Sequence, residues 1–202
     1  MLIPPARAKA VCRIFLWYIS FVNKSKSIIL IDGSNFYFKL KKLEVPNLLE
    51  FDFTSFSKFL TKKSNLVQSS YYIGAVRTDG SKKTSELLAN QQKLLANLKK
   101  HHVSYSLGYL LKSGGRFHGK GVAVNIAVDI LVATYENLCD HIIIVSSDTD
   151  LLPAIKKAKE KGKIVQYIGF SHQPSLAMIA NCSESRLLTK EDILPFVKSK
   201  TK

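Results

Sequence analysis

Two rhythms of apolar positions run along this chain. Ser27–Ile31 is a short, continuous apolar run that ends in Asp32-Gly33-Ser34-Asn35. A run of that length, bounded by turn residues, predicts a strand buried on both faces, as in a parallel sheet. Ser69–Val76 is aromatic and β-branched, Val103–Leu111 alternates, and His141–Val145 and Lys163–Ile168 are again compact and apolar. These predict four more strands. Between them the period lengthens. Phe36–Leu43 predicts a helix ended by Pro46, and Asp52–Lys63 predicts one capped by Asp52, with Phe53, Phe56, Phe59 and Leu60 at helical spacing. Lys82–Lys100 carries a leucine stripe, Val122–Leu138 is apolar around most of its circumference, and Leu151–Glu160 stops at Gly162. A last helix is expected near Ser175–Ala180, and Ser113–Gly121 reads as a Gly-rich basic loop. Strands alternating with helices specify an α/β fold, a mainly parallel sheet covered by helices on both faces.

The chain has 202 residues, enough for one domain with short extensions. Residues 1–26 read as an appendage, either an amphipathic segment or the result of a start codon placed too far upstream. Its apolar run, Ala10–Val22, contains Arg13 and is shorter than the ~20 residues of a stable membrane span. Residues 27–197 form the expected domain, and 198–202 a basic tail. Cys12, Cys139 and Cys182 are few, odd in number and far apart. That argues against a disulfide framework or a zinc site and suits a cytoplasmic setting. Thirty Lys and Arg against fifteen Asp and Glu give a formal charge of +15, which favours a polyanionic partner, nucleic acid first. A homodimer is left open.

Candidate chemistry lies at strand ends. In open α/β sheets ligands bind beyond the carboxyl ends of the strands. Asp32 follows the first strand, and Asp148 and Asp150 follow His141–Val145. If those strands are neighbours, three carboxylates converge, and like charges at close range call for a cation such as Mg²⁺ or Mn²⁺. Each Asp taken alone is equally a helix cap. Ser34 and Asn35 orient a ligand or merely make a turn. Asn125 and Asp129, four apart, share a face that looks either into the site or into solvent. Arg77, Lys82 and Lys83, with Arg116, His118 and Lys120, follow strand ends and suit phosphate contacts. Phe36, Tyr37 and Phe117 either stack on single-stranded bases or pack. No G-x-x-x-x-G-K phosphate loop is present.

IDGSNFY at 31–37, KGVAVNIAVDI at 120–130 and VSSDTDLLPAI at 145–155 together resemble the signature blocks of the NYN domain, in its LabA-like branch. The resemblance runs from about Ser27 to Leu188. It implies a PIN-like, Rossmannoid three-layer α/β/α sandwich and metal-dependent hydrolysis of RNA, single-stranded first. By the same resemblance Asp32, Asp148 and Asp150 match metal positions, and Asn35 and Asp129 match catalytic polar and acidic positions. Ser34, Ser146 and Lys120 join Arg77, Lys82 and Arg116 as RNA-contacting candidates. One position departs: where the family carries an acid in K-G-x-D, this chain has Ala123. The departure keeps a second reading open, a catalytically weakened RNA-binding or regulatory module.

Overall fold

The structure, a computed structural model, describes residues 25–46, 48–62, 64–113 and 116–197. The N-terminal appendage up to residue 24, Cys12 and the basic tail fall outside them. In chain order the elements are β1 (Lys26–Asp32), α1 (Gly33–Lys42), α2 (Phe53–Leu60), β2 (Asn65–Gly74), α3 (Lys82–Lys100), β3 (Ser104–Ser113) and β4 (Arg116–Lys120). There follow α4 (Val122–Tyr135), β5 (His141–Val145), α5 (Leu152–Glu160), β6 (Ile164–Phe170), α6 (Leu176–Asn181), β7 (Glu184–Leu188) and α7 (Lys190–Ile193).

The sheet order is β4-β3-β2-β1-β5-β6-β7. Every neighbouring pair is parallel except β3 and β4, which are antiparallel. β1 is central: Ile31 pairs with Tyr71 of β2 on one side and with Val145 of β5 on the other. The chain therefore leaves β1 in one direction for β2 and β3, and returns across it for β5. This reversal is the switch point at which a crevice opens.

Side chains alternate across the strands, so the two faces have separate cores. One face carries Ile29, Ile31 and Tyr71 under α1, α2 and α3, with Phe36, Phe51, Phe53, Phe56 and Phe196 packed edge to face and Phe170 tilted against Phe36. The other carries Ile28, Leu30 and Tyr72 under α4 and α5, with Ile126, Ile130, Ala154, Ile155 and Ala158. Each fully buried Phe or Ile contributes about 1.5–3 kcal/mol. Two layers of helices on one sheet give the three-layer α/β/α sandwich expected from the sequence.

Three details depart from expectation. The basic stretch after β3 is not a loop. Its residues 116–120 form β4, which pairs with Tyr109–Ser113. β3 pairs with β2 only as far as Gly108↔Gly74, so the hairpin projects past the carboxyl edge of the sheet. It returns the chain to that edge at Lys120, where α4 starts at Gly121 in the left-handed region (φ 87°). β7, a polar strand at the sheet's other edge, was not anticipated. Phe36, a stacking candidate, is 3% exposed and belongs to the aromatic core.

Candidate functional site

The site begins with the turn that ends β1. Asp32 takes extended backbone and caps α1, its Oδ1 accepting the Asn35 backbone N–H at 3.0 Å. Gly33 follows because nothing larger fits: a Cβ there would collide with the Tyr71 ring and lie 2.8 Å from the Tyr72 carbonyl oxygen. The Asp-Gly pair therefore lets α1 leave the strand at close quarters to β2.

Across the switch point, β5 ends at Val145 and Ser146 turns inward. Its side chain is buried, and its hydroxyl donates to Asp32 Oδ2 at 3.0 Å. Ser146 Oγ also accepts the Asp148 backbone N–H at 3.1 Å. Asp148 in turn caps the short 3-10 turn Thr149–Leu151, accepting the Asp150 N–H on Oδ1 at 3.0 Å. A chain of hydrogen bonds thus locks the end of β1 to the end of β5. Asp32 is 7% exposed. Burial pushes its carboxyl above the usual carboxylate range, and the Asp148 charge pushes the same way, against the bonds from Asn35 and Ser146. Among the described residues no lysine, arginine or histidine forms an ion pair with Asp32, Asp148 or Asp150.

Such an uncompensated pair suits a divalent cation. Mg²⁺ commonly takes one or two carboxylates and keeps several waters. Among the described residues no three of His, Cys, Asp and Glu come together as a metal-holding group. The convergence of three carboxylates expected from the sequence is therefore narrower: Asp32 and Asp148 interact, while Asp150 is exposed beside them. Asp129 lies on α4. It accepts a 2.5 Å hydrogen bond from the hydroxyl of Tyr72, which is buried on β2 and is the register partner of Asp32. Asn125 on the same face of α4 donates to Ser106 of β3 at 3.1 Å. That face looks onto the sheet rather than wholly into solvent. Ala123 packs against the aliphatic core in the first turn of α4.

The other candidates divide. Ser146 is 2% exposed with its hydroxyl committed to Asp32, so the direct RNA contact expected of it is corrected to a buried positioning contact. Ser34 and Arg77 are exposed, and with Tyr37 they line a cavity of about 1010 Å³ between α1, the end of β2 and α3. Lys82 is exposed at the start of α3. Arg116 and Lys120 belong to β4, on the projecting hairpin. Sequence reasoning missed Tyr72, and no periodicity marks it: it reads as one more aromatic strand residue.

No curated protein sequence matches this chain. A Vibrio parahaemolyticus protein of unknown function has a similar structure, with TM-score 0.63 and 23% identity over 84% of this chain and 94% of that one. Zinc-bound T5 5′-exonuclease is more distant, with TM-score 0.45 and 15% identity over 76% of this chain and 60% of that one. A bacteriophage T5 flap endonuclease variant with DNA and metal ions gives TM-score 0.44 and 16% identity over the same shares. The NYN domain profile matches residues 26–188, most of the sequence and every strand of the sheet. The chain belongs to the NYN domain family.

Proposed function

We propose that this protein is a metal-dependent endoribonuclease of the LabA-like branch, hydrolysing phosphodiesters of single-stranded RNA in the cytoplasm. The observation that carries the reading is the buried Asp32 carboxyl beside Asp148 at the switch point, with no ion-pairing cation among the described residues for either. Asp32 and Asp148 would hold Mg²⁺ or Mn²⁺, with Asp150 at the rim. When bound, such an ion polarises a phosphoryl oxygen and lowers the pKa of water.

The chain's own residues do the rest. The Asn35 N–H and the Ser146 hydroxyl fix both oxygens of Asp32, so the carboxylate is oriented before any ligand arrives. Arg77 and Lys82 sit past the end of β2, where they suit the backbone of a strand entering the crevice, and Arg116 and Lys120 extend the same charge along the hairpin. Tyr37, 46% exposed beside Ser34, offers a face for a base. Asp129, held by Tyr72, keeps α4 seated on β2 and steadies the floor beneath Asp32. Cys139 and Cys182 are both buried free thiols, and burial pushes the Cys182 thiol up to about 11, so neither is a nucleophile.

A second reading, a binding module of weakened activity, is favoured by Ala123. Its methyl packs into the core where the family's acid would stand, and the carboxylate set is smaller for it. One experiment separates the two. Labelled single-stranded RNA is incubated with the protein in Mn²⁺, Mg²⁺ or EDTA, beside Asp148→Asn and Ala123→Asp variants. Metal-dependent cutting by the parent that Asp148→Asn loses is the expected outcome. RNA binding without cutting, with cutting restored by Ala123→Asp, establishes the weakened module instead.

A further inference from the structure

A lysine is almost never buried unless an acid is paired with it. Lys39 is 9% exposed, and among the described residues it has no carboxylate partner. Its ammonium donates to the main-chain oxygen of Gln173 at 2.7 Å. Lys42, one turn further along α1, donates to Oε1 of the same glutamine at 2.8 Å. Two ammonium groups therefore converge on one neutral residue, in the turn that follows β6. His172 stands beside them, its ring against Phe170. The crowding is felt electrically. Burial, then Lys42, lowers the pKa of Lys39, and burial, then Lys39 and Lys42, lowers that of His172.

The group is well placed. The turn after β6 lies on the same carboxyl edge as Asp32 and Asp148. Asn35, whose N–H caps Asp32, and Lys39 are four apart and share a face of α1. Each ammonium carries three donors, and only one is used on Gln173 in each case. Unspent donors, converging positive charge and no ion-paired acid among the described residues describe a seat for a compact anion with several acceptor oxygens. A phosphoryl group meets that description.

We propose that Lys39, Lys42 and His172 form a phosphate-binding subsite that holds a phosphoryl group of the RNA strand engaged at Asp32 and Asp148. The inference rests on the RNA reading above for its ligand and stands on separate residues. The phosphoryl group is either the 5′-terminal monoester or an internal diester of the strand, and both present the same oxygens.

The test is made in EDTA, so that binding is read without cleavage. Inorganic phosphate is titrated into the protein while the His172 ring signals are followed by NMR. A short single-stranded oligoribonucleotide, 5′-phosphorylated or 5′-hydroxyl, is then titrated at several salt concentrations. The proteins are the parent, Lys42→Gln, which changes an exposed position, Lys39→Gln/Lys42→Gln, and the charge-keeping Lys39→Arg. Phosphate is expected to shift His172 in the parent and not in the double variant. The double variant is expected to lose about 10-fold in strand affinity and to flatten the salt dependence by about 0.7 per lost contact. Lys42→Gln is expected to lose part of this and Lys39→Arg little. A loss confined to the 5′-phosphorylated strand assigns the terminal monoester, and an equal loss on both assigns the diester. Parent-like affinity and salt dependence in the double variant overturn the proposal, even if free phosphate still binds. If the parent binds no strand but phosphate still shifts His172, the RNA reading falls and the anion seat stands.

Discussion

The carboxyl edge of the sheet holds two groups of like charge on either side of the first turns of α1. On one side Asp32 and Asp148 meet across the switch point; on the other Lys39, Lys42 and His172 meet over the turn after β6. Both groups are built the same way. Each has one buried member, each is held by hydrogen bonds to neutral or main-chain groups, and among the described residues neither is neutralised by an ion pair. They differ in what holds them. Asp32 is fixed from two directions by Asn35 and Ser146, which suits a group that must orient a small ion. The lysines are long, flexible and tied only to Gln173, which suits a softer grip on a mobile strand. An enzyme is most stable when such repulsions are removed, so keeping both groups costs stability and suggests a use for each.

The sharpest break is at the acidic group. Asp148→Asn is expected to lower metal-dependent RNA cleavage by about 10²–10³-fold while RNA affinity in EDTA changes little, a split readable by comparing rates with binding. Next comes Gly33→Ala. It drives a methyl into the Tyr71 ring and shifts α1, which carries the basic group away from the acidic one. A loss of about 1–3 kcal/mol in urea unfolding is expected, together with weaker RNA binding.

A smaller effect has the opposite sign. Asp32→Asn is expected to stabilise the metal-free fold at neutral pH by about 0.5–2 kcal/mol. Because the folded carboxyl binds its proton more tightly than an ordinary carboxyl at 3.8, stability falls as pH rises from 3.8 through the raised value. The advantage of Asn is therefore absent below 3.8 and complete above the folded value, which thermal melts across that range would reveal. Lys39 runs the other way. Its folded pKa is below 10.5, so stability rises as pH climbs from the folded value to 10.5. Smallest is Lys42→Glu, which sets an exposed carboxylate one turn from the buried Lys39 ammonium and is expected to add about 0.2–1 kcal/mol of stability. The same change is expected to weaken RNA binding, so melts and titrations should move in opposite directions.

Much of this arrangement is legible in the sequence because it follows from local rules. The buried runs at β1 and β5 and their trailing aspartates predict a parallel sheet with carboxylates at a switch point. Asp52 caps its helix as expected, its side chain accepting the Ser55 N–H. What was hidden depends on partners distant in sequence. Ser146 reads as an RNA-contacting candidate, and its hydrogen bond to Asp32 shows only when β1 and β5 are laid side by side. Nothing near Asp129 in sequence announces its hydrogen bond with Tyr72, 57 residues earlier. Lys39 and Lys42 read as the solvated face of a short helix, because nothing local says that Gln173, 134 and 131 residues away, will fold over them. β4 was obscured by Gly119 and the glycines that flank it, and β7 by a polar pattern that one strand pairing on β6 is enough to support.

The projecting hairpin bears on self-association. β4 is an edge strand, with one row of its backbone donors and acceptors turned away from the sheet. A second copy adding to it antiparallel and centred on His118 would set Arg116 opposite Lys120 twice over. Cations directly opposed across a strand pair are unfavourable. The residues proposed to contact an RNA backbone would thus also act as gatekeepers against the growth of a continuous sheet from one molecule to the next.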